Sequence, residues 1–173
     1  LFQPGGKGTK RVQLMGSGSI LREVIAAANI LSEDFGIQAD VWSCPSFNEL
    51  KRDGDDCVRW NLMHPDQKPR IPHVTACLEK HAGPVVAATD YVKLFADQIR
   101  AYVGRNFHVL GTDGFGRSDT RASLRRHFEV NRYYVTVAAL KTLADEGTIP
   151  AKTVKSAIRK YKLDPEKPNP LNV

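Results

Sequence analysis

A chain of 173 residues has the size of one domain and can bury a real core without disulfide or metal staples. Hydrophobic residues make up 42% and charged residues 25%, an ordinary globular balance, and no apolar run approaches the ~20 residues a membrane span needs. The net charge of +6 is lopsided: residues 1–90 hold 10 Lys/Arg against 11 Asp/Glu, residues 91–173 hold 15 against 8, so nucleic acid has to be weighed as a partner.

Leu1 to Lys10 is Gly/Lys-rich and reads as a linker, an incoming connection or a non-native remnant. No initiator Met and no charged-then-apolar leader stands there, so a secretory signal is not expected, and a piece of a longer or processed chain is. Val12–Met15 reads as a strand that stops at Gly16-Ser17-Gly18-Ser19. A helix is then expected from about Ile20 to Phe35, because Leu21, Val24, Ile25, Ala28 and Leu31 fall on one stripe and Gly36 lies just past its end. Ala39–Cys44 reads as a second strand, stopped by Pro45. The order β-α-β calls for a parallel pair.

Residues 46–70 are less regular. Phe47–Leu50 should begin a helix, Asp53-Gly54-Asp55-Asp56 reads as a turn, and Cys57–Met63 as a second short helix. Pro69–Pro72 is extended, since residues before proline avoid the helical region. Val74–Lys80 is helical and Val85–Ala88 a buried third strand. Tyr91–Tyr102 reads as one helix with Tyr91, Leu94, Phe95, Gln98 and Ile99 facing inward or nearly so, followed by a fourth strand, Phe107–Leu110. Helices are expected at about 119–127, 131–146 and 150–161, then a proline-rich tail (Asp164–Pro170) lying on a surface. This predicts a three-layer α/β domain with a small, mostly parallel sheet and helices on both faces.

Candidate chemistry is sparse. Gly16-Ser17-Gly18 lacks the third glycine of a dinucleotide fingerprint, since position 21 is Leu, and no acid ends the following strand. A tight turn explains it; a helix start facing an anion or another domain's acidic side chain is the other reading. Gly111-Thr112-Asp113-Gly114 has a Thr inside what a Gly-Asp-Gly cofactor motif would need. Asp113 and Asp119 are too few to hold a metal, and Asp53, Asp55 and Asp56 lack the order of a calcium loop. His73 and Cys77 could share a helix face, but two ligands do not make a zinc site. The three cysteines are odd in number and fit free thiols in a reducing, cytoplasmic setting. Arg117, Arg121 and Arg125 recur every four residues along one helical face, yet no nucleic-acid reading motif accompanies them. Phe115 between two glycines, beside Arg117, expects a partner to cover it. Asp113, Phe115, Arg117, Asp119, Arg121 and Arg125 therefore form the candidate contact surface toward a partner or another domain. No residue is assigned a catalytic, cofactor-binding or metal role from spacing.

Several strings together resemble a known family. They are Val12–Val24; Asp40–Ser43 with Ser46-Phe47; Arg52–Cys57 with Arg59–Asn61; Ala88–Tyr91 with Lys93–Ala96; and Leu110–Arg121 with Leu124-Arg125 and His127–Val130. They are similar to the C-terminal, transketolase-C-like domain (residues 11–173 here) of the homodimeric bacterial pyruvate dehydrogenase decarboxylase component. The resemblance implies a parent enzyme that uses thiamine diphosphate and Mg²⁺ to decarboxylate pyruvate and acetylate the lipoyl group of an acyltransferase core. It also implies that cofactor and catalytic residues sit in preceding domains, so that this stretch binds no cofactor alone. What remains for it is dimer assembly and docking of the dihydrolipoyl acetyltransferase's peripheral-subunit-binding module, without nucleic acid or membrane. The rival expectation is an autonomous anion- or nucleotide-binding α/β enzyme using Gly16–Ser19.

Overall fold

The computed structural model describes all 173 residues. Four strands, β1 (Arg11–Gly16), β2 (Gln38–Ser43), β3 (Val85–Ala88) and β4 (Phe107–Leu110), form one sheet in the order β2-β1-β3-β4, every adjacent pair parallel. The chain winds from β1 outward to β2, then returns past β1 to add β3 and β4. The strand order therefore reverses between β1 and β3, where open α/β sheets place their crevice.

Successive strand residues face opposite sides, and the strands are apolar on both. Leu14, Val86 and Ala88 pack under α1 (Leu21–Phe35), α7 (Arg132–Asp145) and α8 (Ala151–Lys160), through Val24, Leu31, Ala139, Leu140 and Ala157. Met15, Val85 and Ala87 pack under α2 (Phe47–Met63), α3 (His73–Leu78), α4 (Lys93–Asp97) and α5 (Arg100–Val103), through Phe47, Leu78, Ala96 and Ile99. Helix α6 (Arg121–His127) lies at the sheet's carboxyl end. The three-layer α/β arrangement is the expected one.

Two element predictions fail, for identifiable reasons. Residues 47–63 are one helix, not two around a turn. Gly54 is there for close approach: a Cβ on it would lie 2.4 Å from Cε2 of the Tyr102 ring. The acids that suggested a turn are helix-surface partners, Asp55 of Lys51 and of the Tyr102 hydroxyl, and Asp53 of the His73 N–H at 2.6 Å. Residues 91–102 are two short helices, because the Ile99 and Tyr102 N–H groups each bond a carbonyl three residues back and tighten the chain. The tightening turns Ala96, Ile99 and Val103 into the core and leaves Tyr91, Leu94 and Phe95 outside, the reverse of the expected facing for all three.

The first residues also carry structure. Gln3 forms an antiparallel bridge with Val41, and the Phe2 and Gln3 N–H groups donate to the Val41 carbonyl at 2.8 and 3.0 Å. Asp40 fixes this segment, accepting from Gly5 N–H at 2.7 Å and Arg11 Nη1 at 2.8 Å. Gln13, wholly buried, donates to Asp40 and to the Ala82 carbonyl and accepts from Trp42 Nε1, so its amide is satisfied.

Candidate functional site: the cleft at the carboxyl ends of the strands

The loops after β1, β3 and β4 meet above the reversal point of the sheet. Gly111 runs so near residues 91–93 that a Cβ would lie 2.6 Å from the Tyr91 carbonyl oxygen. The Thr112 N–H donates to that oxygen at 2.9 Å, and the Thr112 hydroxyl donates to the Asp90 carbonyl at 3.1 Å. Asp113 accepts the Lys93 N–H at 2.8 Å. On the far side Gly114, at φ +108°, lies against the tail, where a Cβ would come within 2.4 Å of the Pro170 carbonyl oxygen. Lys167 anchors that tail on the His127 carbonyl at 2.5 Å and on Glu129 at 3.2 Å. The glycine loop is thus clamped from both sides, and Phe115 at its tip remains 79% exposed.

Thr120 begins α6 by accepting the Ser123 N–H, while Asp119 accepts the Thr120 N–H at 2.6 Å. Arg117 therefore stands in the loop and not on the helix, so the expected single helical face of three arginines is really a loop residue and two helix residues. All three nevertheless converge on one cleft of about 530 Å³ with Asp90, Asp119 and Ser19. Its apolar wall is Ile20, Leu124, Phe128 and Val130.

The three arginines differ in what they touch. Arg125 donates to Glu23 at 3.0 Å and to the Ser19 carbonyl and hydroxyl at 3.3 and 3.1 Å. Glu23, in the first turn of α1, also accepts the Arg132 N–H, Nε and Nη2. Burial pushes the Glu23 carboxyl up, but the Arg132 bonds and the charges of Arg132 and Arg125 outweigh it and hold the group below its usual range. The side chains of Arg117 and Arg121 make no hydrogen bond or ion pair with any protein group.

The Gly16–Ser19 turn is a close-packed corner. A Cβ on Gly16 would meet Leu21 Cα at 2.8 Å, so Gly16 gives the helix–strand contact for which a dinucleotide motif uses its third glycine. Gly18 takes φ +54°, and the Ser19 hydroxyl donates to Asp90 at 2.9 Å. The helix start therefore faces the Asp90 carboxylate of this same chain.

Of the six residues proposed from sequence, Arg117, Asp119, Arg121 and Arg125 line the cleft; Asp113 is turned onto Lys93 and Phe115 points away. Sequence reasoning passed over Asp90 and Glu23, and weighed Ser19 only as part of the Gly16–Ser19 turn. A signal existed for Glu23: it shares the buried i, i+4 row of α1 with Ala27 and Leu31, where an unpaired acid would be costly. Elsewhere, His73 and Cys77 do share a face, Sγ to Nε2 at 3.4 Å, and no third ligand joins them. Burial pushes the Cys44 thiol up to about 12. No helix is long and apolar enough to cross a membrane.

A family model described as the transketolase-like TK C-terminal domain matches residues 2–131. The chain is 61% identical over 163 residues to the pyruvate dehydrogenase E1 component of Cupriavidus necator, covering 94% of this chain and 18% of that protein. The like-named protein of Pseudomonas aeruginosa is 60% identical over 162 residues, 93% of this chain and 18% of that one. That of Escherichia coli K12 is 54% identical over 167 residues, 96% and 18%. The chain thus spans about a fifth of the length of these relatives. The β2-β1-β3-β4 sheet and the match over residues 2–131 agree, and the chain belongs to the transketolase-like C-terminal domain family.

Proposed function

We propose that this chain is the carboxyl-terminal assembly and docking domain of a cytoplasmic pyruvate dehydrogenase decarboxylase component. The whole enzyme would decarboxylate pyruvate with thiamine diphosphate and Mg²⁺ and acetylate a lipoyl group of the acyltransferase core. The names of the relatives support that activity for the parent, and the small share of them that this chain spans supports a non-catalytic role for the domain. The cofactor pair does not fit the residues here. Asp113, the acid of the Gly-rich loop, gives its oxygens to the Lys93 N–H and, at 3.8 Å, to the Lys93 ammonium.

One observation carries the docking role. Phe115 is held out, 79% exposed, on a loop fixed by Asp113 on one side and by the tail at Gly114 on the other. A large apolar side chain displayed on a rigid mount loses little freedom when covered, which is how interface anchors behave. Its partners would be the second copy in the parent homodimer or the peripheral-subunit-binding module of the acetyltransferase. The test uses the parent enzyme carrying Phe115→Ala, with dimer dissociation followed by sedimentation and module binding by calorimetry. One of the two should weaken by roughly tenfold or more. Wild-type values for both refute the role of the loop.

A further inference from the structure

We propose that the cleft over the β1/β3 reversal point binds a small organic anion, a carboxylate or phosphate carried on an apolar body. Its position is where open α/β sheets take ligands, and its volume of about 530 Å³ suits a small molecule. The cations supply the specificity. Arg125 is already engaged by Glu23 and Ser19, whereas the guanidinium groups of Arg117 and Arg121 line the same concavity without a protein partner. A guanidinium is a fork of five donors matched to the two oxygens of a carboxylate or phosphate.

The rest of the lining restricts what can enter. Ile20, Leu124, Phe128 and Val130 offer an apolar wall that a bare inorganic ion cannot use. Asp90, bonded by the Ser19 hydroxyl, and Asp119, bonded by the Thr120 N–H, disfavour a highly charged polyanion. A compact anion with one acidic group and a hydrocarbon body satisfies both restrictions. The site stands apart from the docking reading, because Phe115 is not part of the lining although Gly114 and Gly116 on either side of it are.

Isothermal titration of the parent enzyme with phenyl phosphate, benzoate and inorganic phosphate tests this. One of the two aromatic anions should saturate, with inorganic phosphate at least tenfold weaker, and the tighter of the two identifies the acidic group. Arg117→Gln and Arg121→Gln should each weaken binding by roughly tenfold, the scale of a hydrogen bond to a charged group. Asp119→Asn should tighten it. Both arginines are exposed and unpaired, so circular dichroism of the variants should match wild type. Phe115→Ala should leave anion binding unchanged, so loss of docking and loss of anion binding are read separately. No saturable heat from any of the three at concentrations on the order of 10 mM overturns the proposal. So does binding indifferent to both arginine substitutions, and inorganic phosphate binding as tightly as phenyl phosphate removes the apolar body.

Discussion

Replacing Asp40 by Asn should remove a specific, pH-dependent part of the stability. The Asp40 side chain is 2% exposed and accepts from Gly5 N–H, Arg11 Nη1 and Gln13 Nε2, with His81 Nδ1 at 3.0 Å. Burial alone would raise its carboxyl; the bonds from Gly5, Gln13, His81 and Arg11 outweigh it and lower the group from 3.8 to about 2. Each unit of such a difference corresponds to about 1.4 kcal/mol, so the ionised form contributes about 2 kcal/mol to folding. Because the folded value is the lower one, this contribution is complete above the ordinary value of 3.8 and is lost as pH falls through about 2. Urea unfolding of wild type and Asp40→Asn, repeated from neutral pH downward, reads it directly. Asn keeps the shape but presents its amide hydrogens to a ring of donors, so the variant should be the less stable at neutral pH. The gap should then close by about 2 kcal/mol on acidification, the other carboxylates cancelling between the two proteins. Stability curves that stay parallel across the acid range would refute the linkage between this carboxylate and the fold.

Two further substitutions probe the packing. Glu23→Gln leaves Arg125 and Arg132 facing a neutral group in a largely buried place; thermal unfolding should show a loss of about 3 kcal/mol, the low end for breaking a buried pair, because Arg132 is half exposed. An unchanged melting temperature would mean that the node does not tie α1 to α7. Gly54→Ala would gain about 1 kcal/mol in an ordinary helix interior, yet here it should cost about 1–3 kcal/mol through the Tyr102 ring. Adding Tyr102→Ala should make the Gly54→Ala step stabilising, and a failure to change sign would locate the strain elsewhere.

What sequence could show depended on whether the deciding contact was local. The strand–helix–strand opening was legible because the stripe from Leu21 to Leu31 and the stop at Gly36, φ +63°, are written within one element. Gly54 was misread because its cause is a ring 48 residues away. An Asp-rich string with a glycine reads locally as a turn, and nothing nearby reports Tyr102. Leu94 was expected inside on helical spacing, and the tightening at Ile99 shifted the inward set to Ala96, Ile99 and Val103. For the site, the loop Leu110–Arg121 was visible as a display of Phe115 and arginines. Its division into a docking tip and a cleft wall was not, since Arg125 meets Glu23 and Asp90 meets Ser19 only after the sheet brings three loops together.

The bridge between Gln3 and Val41 has a consequence for handling the protein. Strand β2 is an outer strand, and residues 2–3 occupy the N–H and C=O of Val41, which would otherwise be open to another chain. Unpaired outer strands template intermolecular β-pairing, and a short covering segment is one way to blunt them. Trimming the Gly/Lys-rich first ten residues as dispensable should therefore bare the edge beside Asp40, and the shortened chain should self-associate at concentrations where the intact one does not.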